Sequence, residues 1–395
     1  MRTRTRLSAC AAALAALLAP VPPATALDGP GPARAPAPLY RSAAPLAGQY
    51  IVSLGESADA ESLLAELDLV SLFTYSAVAR GFAARLTPGE LAAVRSAPGV
   101  TAVEQDAEVS AVAAVPTGGA HASTPSWGLD RIDQRDLPLD GEFAVHGSGA
   151  GATGYILDTG IDYAHEEFGG RARPGYDAIG DGRDGADCEG HGTHVAGTVG
   201  GASYGVARGA DLVSVRVLDC RGRGTWSGIM AGLDWIARDA SGPAVMNASL
   251  GGPASRMVND ALDRVAAGGV VPVVAAGNEG GDACEVSPAS APSAFTVGAT
   301  DAQDRQTGFS NHGACLAMYA PGTQIVSARL GGGGLALDGT SMAAPHVAGV
   351  ALLARAAAPA ADVAAVEHLL LEVSARGRLA VTEGSPDRLL QTGGL

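Results

Sequence analysis

Apolar and polar positions divide the chain into a small module and a larger alternating region. In the small module the predicted strands are 50–54, 70–76, 82–86 and 100–103, and the predicted helices are 58–67 and 87–99. The second helix begins with Thr87-Pro88-Gly89-Glu90, which has the spacing of a capping box with proline in the first turn. The order βαββαβ is the split βαβ arrangement, so residues 49–112 are predicted to form a small α+β, ferredoxin-like domain.

Beyond residue 127, apolar runs alternate with longer helical patterns. The predicted strands are 155–157, 212–218, 245–250, 270–275, 294–297 and 325–328. The predicted helices are 191–200, 225–240, 255–267, 341–357 and 360–374. Strands that are apolar throughout and interleaved with helices indicate a parallel sheet covered on both faces. The predicted fold class is therefore α/β, a doubly wound, mostly parallel sheet, with its site at the carboxyl ends of the strands.

The N-terminus indicates export. Three alternate arginines in the first six residues precede an apolar run, Leu7 to Ala19, that is too short to span a bilayer, and Ala24-Thr25-Ala26 offers small residues for cleavage. Residues 1–26 are therefore predicted to be a signal peptide. Residues 27–48, rich in Pro and Ala, are predicted to be a flexible linker. No later stretch reaches 18 apolar residues, so we expect a secreted protein without membrane association.

The composition of the 395-residue chain narrows the classes of function. Aromatic residues make up only 4% of the chain, and the formal net charge is −15. No basic patch is visible along the sequence, which argues against nucleic acid as a partner. The acidic surplus suits an exported protein or one that binds cations.

Four of the five cysteines lie outside the predicted signal peptide. An even number of cysteines in an exported chain indicates two disulfide bonds, and three pairings are open. Zinc binding is the alternative, but no Cys-x-x-Cys pair occurs, which disfavours it. The four residues are Cys188, Cys220, Cys284 and Cys315.

A serine lies at the beginning of the predicted helix 341–357. The stretch runs from Gly339 through Ser341 and Pro345 to Gly349. Proline has no N–H, so a regular helix cannot begin far before Ser341. Unpaired N–H groups at a helix N-terminus favour an anion, and a serine nucleophile needs such donors for its oxyanion. The alternative is an ordinary Ser N-cap.

Three further polar residues lie at candidate strand or helix ends. Asp158 directly follows the apolar run 155–157, and Asn278 follows the strand 270–275. His191 opens a predicted helix in Gly-His-Gly-Thr-His. Each has an ordinary alternative: a turn or cap for Asp158 and Asn278, and a metal-ligand pair with His194 for His191. No HExxH motif or third ligand at a usual spacing supports the metal interpretation.

The order Asp, His, Ser, with an Asn before the Ser, is that of subtilisin. With the local motifs around each residue, the chain resembles the subtilisin family, specifically its proteinase K and aqualysin branch, from about residue 49 to its end. The resemblance implies that Ser341 is the nucleophile and that His191 is the general base and acid. It further implies that Asp158 orients His191 and that Asn278 donates to the oxyanion beside the Ser341 N–H.

The resemblance also implies a cleft that binds an extended peptide as a β-strand. Small residues around the primary pocket leave room for an apolar or aromatic side chain before the scissile bond, and Trp226 corresponds to the aromatic floor of a more distant pocket. Protein and peptide substrates of broad specificity are therefore expected. The cleft residues implied are Gly222, Gly224, Trp226, Ser249, Leu250, Gly251, Ala276 and Gly277.

Residues 49–112 resemble the family's inhibitory propeptide, an intramolecular inhibitor that assists folding and is removed by the enzyme itself. We expect the cut between about Val109 and Ser126, residues 113–126 as a processing segment, and residues 127–395 as the peptidase domain. The chain is expected to be a monomer. By the same resemblance, Cys188 pairs with Cys220 and Cys284 with Cys315.

Calcium is implied by one further match. A loop after residue 129 corresponds to a calcium loop of aqualysin-like relatives, and carboxylates with a side-chain carbonyl suit a hard cation. Its candidate ligands are Asp130, Asp133, Gln134, Asp140 and Glu142, where Glu142 replaces an Asn. A second family site is expected to be lost or weakened, because Ala317 occupies the position of its acid. Asp181, Asp184 and Asp187 are interpreted as solvated loop charges, and no catalytic metal is expected.

Two other functions remain compatible with the sequence. One is a catalytically idle, peptide-binding relative, although such a relative should lack a member of the triad. The other is a protease with a narrow processing role. Labelling of Ser341 by a serine-directed reagent separates the first from an active enzyme.

Overall fold

The small module is an antiparallel sheet with two helices on one face, in a computed structural model that describes residues 35–112, 115–116 and 126–395. Its strands are β1 (Leu39–Tyr40), β2 (Pro45–Leu54), β3 (Ser71–Tyr75), β4 (Gly81–Arg85) and β5 (Val100–Ala111), and its helices are α1 (Ala60–Glu66) and α2 (Pro88–Ser96). The antiparallel order is β5-β2-β4-β3, with β1 added parallel to β5. The predicted βαββαβ order and the Thr87–Glu90 capping box are confirmed.

Two predictions about this module need correction. The predicted linker 27–48 is wrong at its end, because β1 and the first part of β2 lie within it. Strand β5 has 12 residues instead of four, because its second half pairs with strands of the larger domain. The predicted signal peptide and most of the segment 113–126 lie outside the described residues.

The larger domain contains a parallel sheet with helices on both faces. Strand β6 is Val115–Pro116, and the remaining strands are β7 (Thr153–Asp158), β8 (Ala172–Asp177), β9 (Asp211–Arg216), β10 (Arg223–Thr225), β11 (Ala244–Ala248), β12 (Leu250–Pro253), β13 (Val270–Ala275), β14 (Val286–Ser287), β15 (Phe295–Thr300), β16 (Met318–Pro321), β17 (Ile325–Ala328) and β18 (Gly334–Asp338). The helices are α3 (Trp127–Asp133), α4 (His191–Gly200), α5 (Trp226–Asp239), α6 (Arg256–Ala267), α7 (Thr340–Ala357) and α8 (Val363–Val373).

Seven strands form the main sheet in the order β16-β15-β13-β11-β7-β9-β8, and each neighbouring pair is parallel. Side chains alternate between two cores: Ile156 packs with α4 and α7 on one face, whereas Tyr155 and Leu157 pack with α5 and α6 on the other. Because both faces are covered, every strand of this sheet except the edge strand β8 is buried along almost its whole length. The predicted doubly wound α/β fold is confirmed.

The elements that the sequence did not indicate are short or polar. Strand β8 lies at the edge of the sheet and carries Arg173 and Pro174, both exposed, and an edge strand tolerates proline. Helix α3 forms in a segment that was interpreted as a calcium loop. The disulfides Cys188–Cys220 and Cys284–Cys315 are present as expected. No helix of the described residues is long and apolar enough to cross a membrane.

Candidate active site

Four predicted site residues are carried by elements that meet at one edge of the parallel sheet. Asp158 is the last residue of β7, and Asn278 follows the end of β13. His191 is the first residue of α4, and Ser341 is the second residue of α7. Parallel strands place their carboxyl ends, and the N-termini of the following helices, on the same side of the sheet.

Asp158 and His191 form a buried pair. The His191 Nδ1 and Asp158 Oδ1 atoms are 2.8 Å apart, and the residues are 4% and 0% exposed. Burial lowers the pKa of His191, but the charge and the hydrogen bond of Asp158 raise it, with smaller contributions from Glu189 and Asp187, and the net pKa lies above the usual 6.5. The pair therefore favours an imidazolium, as a general base requires after it accepts a proton.

The position of Ser341 follows from Pro345 in the same helix. Because proline has no N–H, the carbonyl of Ser341 receives no bond from four residues ahead, and the hydroxyl of Ser249 donates to it instead at 3.0 Å. Ser249 Oγ in turn accepts from Asn247 Nδ2 at 2.9 Å. The first turn of α7 is thus attached to the segment that leads into β12.

The hydroxyl of Ser341 contacts the peptide segment that ends the small module. Ser341 Oγ lies 3.0 Å from the carbonyl oxygen of Val112 and 3.1 Å from that of Ser249. His191 Nε2 has no hydrogen-bond partner among the described residues. Ser341 and His191 are therefore not hydrogen-bonded to each other, and the Ser341 hydroxyl lies within hydrogen-bond distance of two carbonyl oxygens instead.

Asn278 is oriented by its carboxamide oxygen. This oxygen accepts from the N–H and from the hydroxyl of Thr340, both at 2.9 Å. A Cβ placed at Gly339 would lie 3.0 Å from the Asn278 amide nitrogen, so this nitrogen lies close to the backbone that leads into α7. An amide donor beside the helix N-terminus is the chemistry of an oxyanion site.

Strand β5 lies in the predicted cleft as a bound peptide would. Its end pairs antiparallel with β12 on one side and β10 on the other, with Ser110 opposite both Gly251 and Arg223. The N–H groups of Ala111 and Val112 donate to the carbonyls of Gly222 and Ser249, at 2.8 and 3.3 Å. The register further pairs Leu250 with Ala111 and Gly224 with Val109.

Val109 and Val112, at the end of the small module, line the same cavity. Val112 lines a cavity of about 370 Å³ whose walls include Ala276 and Gly277. Val109 is 1% exposed and packs in the same core as the buried Trp226. The predicted cleft residues thus surround the end of the small module.

Two carboxylates of β5 face helix N-termini of the larger domain, a feature that the sequence analysis did not predict. Glu104 accepts from the Ser255 hydroxyl and, at 3.1 Å, from the N–H of Met257 at the start of α6. Burial raises the pKa of Glu104, and these hydrogen bonds partly offset that effect. Asp106 accepts from the N–H of Ser227 at the start of α5, at 3.1 Å. Carboxylates are stabilised at helix N-termini.

A carboxylate of the larger domain accepts hydrogen bonds from the backbone of the small module. Asp234 on α5 is 1% exposed, and its Oδ1 accepts from three consecutive backbone N–H groups between β3 and β4. Those donors are Ser76, Ala77 and Val78, at 2.9, 2.6 and 3.0 Å. The small module therefore contacts the larger domain through hydrogen bonds between carboxylates and backbone N–H groups, as well as through strand pairing in the cleft.

The candidate calcium loop is partly organised by its own backbone. Asp130 accepts from the N–H groups of Asp140 and Gly141, at 3.3 and 2.8 Å, and Gln134 Oε1 accepts from Asp140 N–H at 3.1 Å. Glu142 is exposed. No three acidic groups of this loop have oxygens within 4.8 Å of one another among the described residues.

One oxygen of this loop nevertheless lacks a partner. Asp133 Oδ1 is buried and accepts no hydrogen bond within the described residues. Burial raises the pKa of Asp133, and the charges of Asp130 and Asp140 raise it further. A cation would satisfy this oxygen and relieve the repulsion, so the oxygen donors of the loop have the chemistry that a hard cation requires, although no three of its acidic groups converge on one point in the described part of the chain.

Asp187 differs from its predicted role as a solvated charge. Its side chain is buried, with 7% of the residue exposed, whereas Asp181 and Asp184 are exposed as expected. The prediction failed because the groups that bind Asp187 are mostly backbone donors brought together by folding.

Family models match both parts of the chain. The model described as "Subtilase family" covers residues 150–390, and the model "Peptidase inhibitor I9" covers residues 49–111. The chain belongs to the subtilase family. The resemblance stated from the sequence is confirmed, including the inhibitor-like module that precedes the larger domain.

Known relatives share much of this sequence. The "Alkaline serine exoprotease A" of Vibrio alginolyticus is 45% identical over 335 residues, which cover 85% of this chain and 62% of the relative. The "Extracellular serine proteinase" of Thermus sp. (strain Rt41A) is 50% identical over 281 residues, covering 71% of this chain and 67% of the relative. The chain thus spans roughly two thirds of the length of these relatives.

A solved structure is also similar. The crystal structure of a cold adapted subtilisin-like serine proteinase is 47% identical in sequence, with a TM-score of 0.67. The match covers 68% of this subtilase and 99% of that chain.

The Asp158–His191 pair predicts an ordering of histidine pKa values. In the full-length Ser341→Ala variant we expect the pKa of His191 to lie above 6.5. Adding Asp158→Asn to this variant should lower the pKa of His191, because the carboxylate stabilises the imidazolium. The stability that the charged pair contributes is present below the unfolded pKa and is lost as pH rises through the folded pKa. Histidine-ring NMR between pH 5 and 9 measures this.

Two other buried histidines provide internal controls for that titration. Burial lowers the pKa of His194 to about 3 and that of His346 to about 4. Their ring signals should therefore remain those of neutral imidazole throughout the titration. A His191 pKa below 6.5, or one that Asp158→Asn leaves unchanged, would contradict the assignment of the pair.

Proposed function

We propose that this subtilase is the precursor of a secreted serine endopeptidase that hydrolyses protein substrates. The observation that carries the proposal is the carbonyl of Val112, which lies 3.0 Å from Ser341 Oγ. The same segment is held as a strand between β10 and β12. A peptide carbonyl at the nucleophile, beside a buried Asp158–His191 pair, is the arrangement of a scissile bond.

The residues of the site divide the reaction among them. Ser341 Oγ attacks the carbonyl carbon while His191 Nε2 accepts its proton. The N–H of Ser341 and the amide of Asn278 stabilise the oxyanion, and Asp158 stabilises the imidazolium. His191 then protonates the leaving amine, and water, deprotonated by His191, releases the acyl group from Ser341.

The pockets support a preference for apolar side chains. Val112 occupies the primary pocket, whose walls include the small residues Ala276 and Gly277, and these leave room for a larger side chain. Val109, three residues earlier, packs in the same buried apolar cluster as Trp226. We therefore expect broad specificity with an apolar or aromatic residue before the scissile bond.

The small module acts as an intramolecular inhibitor in this proposal. Once the Val112–Ala113 bond is cut, the strand pairing of β5 and the contacts of Glu104, Asp106 and Asp234 do not depend on that bond. After cleavage the module therefore remains bound as a product and blocks the cleft. Secretion is proposed from the predicted signal peptide and from the name of the Thermus relative.

The position of Val112 predicts where the precursor is cut. We expect the mature protein to begin at Ala113, because the Val112 carbonyl is the one at Ser341, and we expect Ser341→Ala to accumulate intact precursor. Intact mass and N-terminal sequencing of both proteins measure this. Ser203→Ala, which changes an exposed serine of the larger domain, is the matched control and should mature normally.

Normal maturation of Ser341→Ala would show that another protease makes the cut. A mature N-terminus at another bond would reject the assignment of Val112 as the residue before the scissile bond. Either result would reject the proposed self-processing after Val112 without rejecting the assignment of Asp158, His191 and Ser341.

Calcium binding at the loop of Asp130, Asp133, Gln134, Asp140 and Glu142 is part of the proposal. Asp133 supports it, because its buried oxygen lacks a partner. The ion would have a structural role: it would neutralise the loop and stabilise the start of the larger domain.

Removal of calcium should lower stability. In full-length Ser341→Ala, which cannot digest itself, we expect EDTA to lower the thermal midpoint and excess calcium to restore it. At a free calcium concentration of about 100 Kd the stabilisation is about 2.7 kcal/mol. Asp133→Asn should abolish the difference, whereas Glu372→Gln, exposed on α8, should keep it. An unchanged midpoint with EDTA would reject the site.

A further inference from the structure

Asp187 is a buried carboxylate that the reaction described above does not use. It lies in the loop before Cys188, and this loop approaches the backbone that follows Asp158 so closely that a Cβ at Gly160 would lie 2.7 Å from the Asp187 nitrogen. No Arg or Lys of the described residues forms an ion pair with Asp187. A buried charge without a cation must be stabilised by hydrogen bonds.

Five donors converge on this carboxylate. Oδ1 accepts from the Thr159 hydroxyl at 2.9 Å and from the N–H groups of Glu189 and Gly190 at 2.9 and 3.0 Å. Oδ2 accepts from the N–H and the hydroxyl of Thr193, at 3.0 and 2.6 Å. Hydrogen bonds to an ionised acceptor are stronger than neutral ones.

These donors belong to the two segments that carry the catalytic pair. Thr159 directly follows Asp158, and its hydroxyl also accepts from the N–H of Gly192 at 2.9 Å. Gly190 and Thr193 flank His191 at the start of α4. The carboxylate of Asp187 is therefore a common acceptor for the end of β7 and the beginning of α4.

Helix α4 also lacks a side-chain cap at its first position. Its N-cap is Gly190, with φ of 112° and no side chain to accept a hydrogen bond. Asp187 replaces such a cap, because it accepts the N–H of Thr193 in the first turn. A role limited to this cap would be structural, and it would not explain the bond to Thr159.

We infer that Asp187 is a positioning residue that fixes the Asp158–His191 pair in its reactive geometry. The inference rests on the proposed function, in which this pair is the base of the reaction. Misplacement of a catalytic group by about 1 Å costs about 100-fold in rate. Because the pair is set by two separate segments, loss of their common acceptor allows such a displacement.

The test compares two Asp→Asn substitutions in the same loop of the full chain. Asp187→Asn keeps the shape of the side chain but replaces one acceptor oxygen with a donor. Asp184→Asn removes the charge of an exposed residue in the same loop, and asparagine is compatible with the positive φ of 52° at that position. Both are expressed as precursors, and active sites are titrated with an organophosphorus reagent. Then kcat and KM for a soluble peptide are measured from pH 5 to 10.

For Asp187→Asn we expect kcat per active site to fall about 100-fold, with KM changed by less than about threefold. The acid limb of kcat/KM should move to lower pH, since fewer anions then act on His191. The titratable groups that act on His191 are Asp158, Glu189 and Asp187, besides neutral His194. Asp184→Asn should match the parent in all three quantities.

An unchanged kcat and acid limb in Asp187→Asn, even with a lowered thermal midpoint, would overturn the inference and leave a structural cap. If that variant does not fold, Thr159→Val and Thr193→Val each remove one hydroxyl donor. We expect both to lower kcat, and unchanged values in both would also overturn it. An inactive parent would instead contradict the proposed function.

Discussion

The missing N–H of Pro345 is the constraint on which this active site depends. A buried carbonyl must find a donor, and the carbonyl of Ser341 finds the hydroxyl of Ser249. The backbone carbonyl of the same Ser249 accepts from Val112 N–H and Ser341 Oγ. Ser249 thus contacts the backbone of Ser341, the proposed nucleophile, its hydroxyl, and the segment that occupies the cleft.

Beside Ser249, the end of the N-terminal module occupies the cleft between β10 and β12. The module is held by strand pairing near the nucleophile and by carboxylates at some distance from it. Glu104 and Asp106 contact the starts of α6 and α5, and Asp234 contacts the turn between β3 and β4. Because these contacts do not involve the scissile bond, cutting and release are separate events in the proposed scheme.

Much of this could be predicted from the sequence, because apolar periodicity and local motifs are local properties. The helix that carries His191 was predicted with its bounds, and the ends of β7 and β13 were located closely enough to place Asp158 and Asn278. The order of the motifs then identified the family. The disulfide pairing came from that resemblance and not from spacing.

The features that the sequence did not show depend on contacts between distant segments. The length of β5 could not be predicted, because its partners, β10 and β12, lie more than a hundred residues away. Glu104 and Asp187 have the polarity of surface residues, and only the folded chain shows that helix N-termini and backbone donors surround them. A carboxylate can be buried where several hydrogen-bond donors converge, and no pattern in the neighbouring sequence shows that they do.

The most direct test of the account is labelling by a serine-directed organophosphorus reagent. We predict that the processed protein is labelled at a single residue, Ser341, and that the labelling rate rises with pH through the elevated pKa of His191. His191→Ala should lose most of this reactivity. Labelling at another serine, or labelling of Ser341 that His191→Ala leaves unchanged, would contradict the assignment of Ser341 and His191 as nucleophile and base.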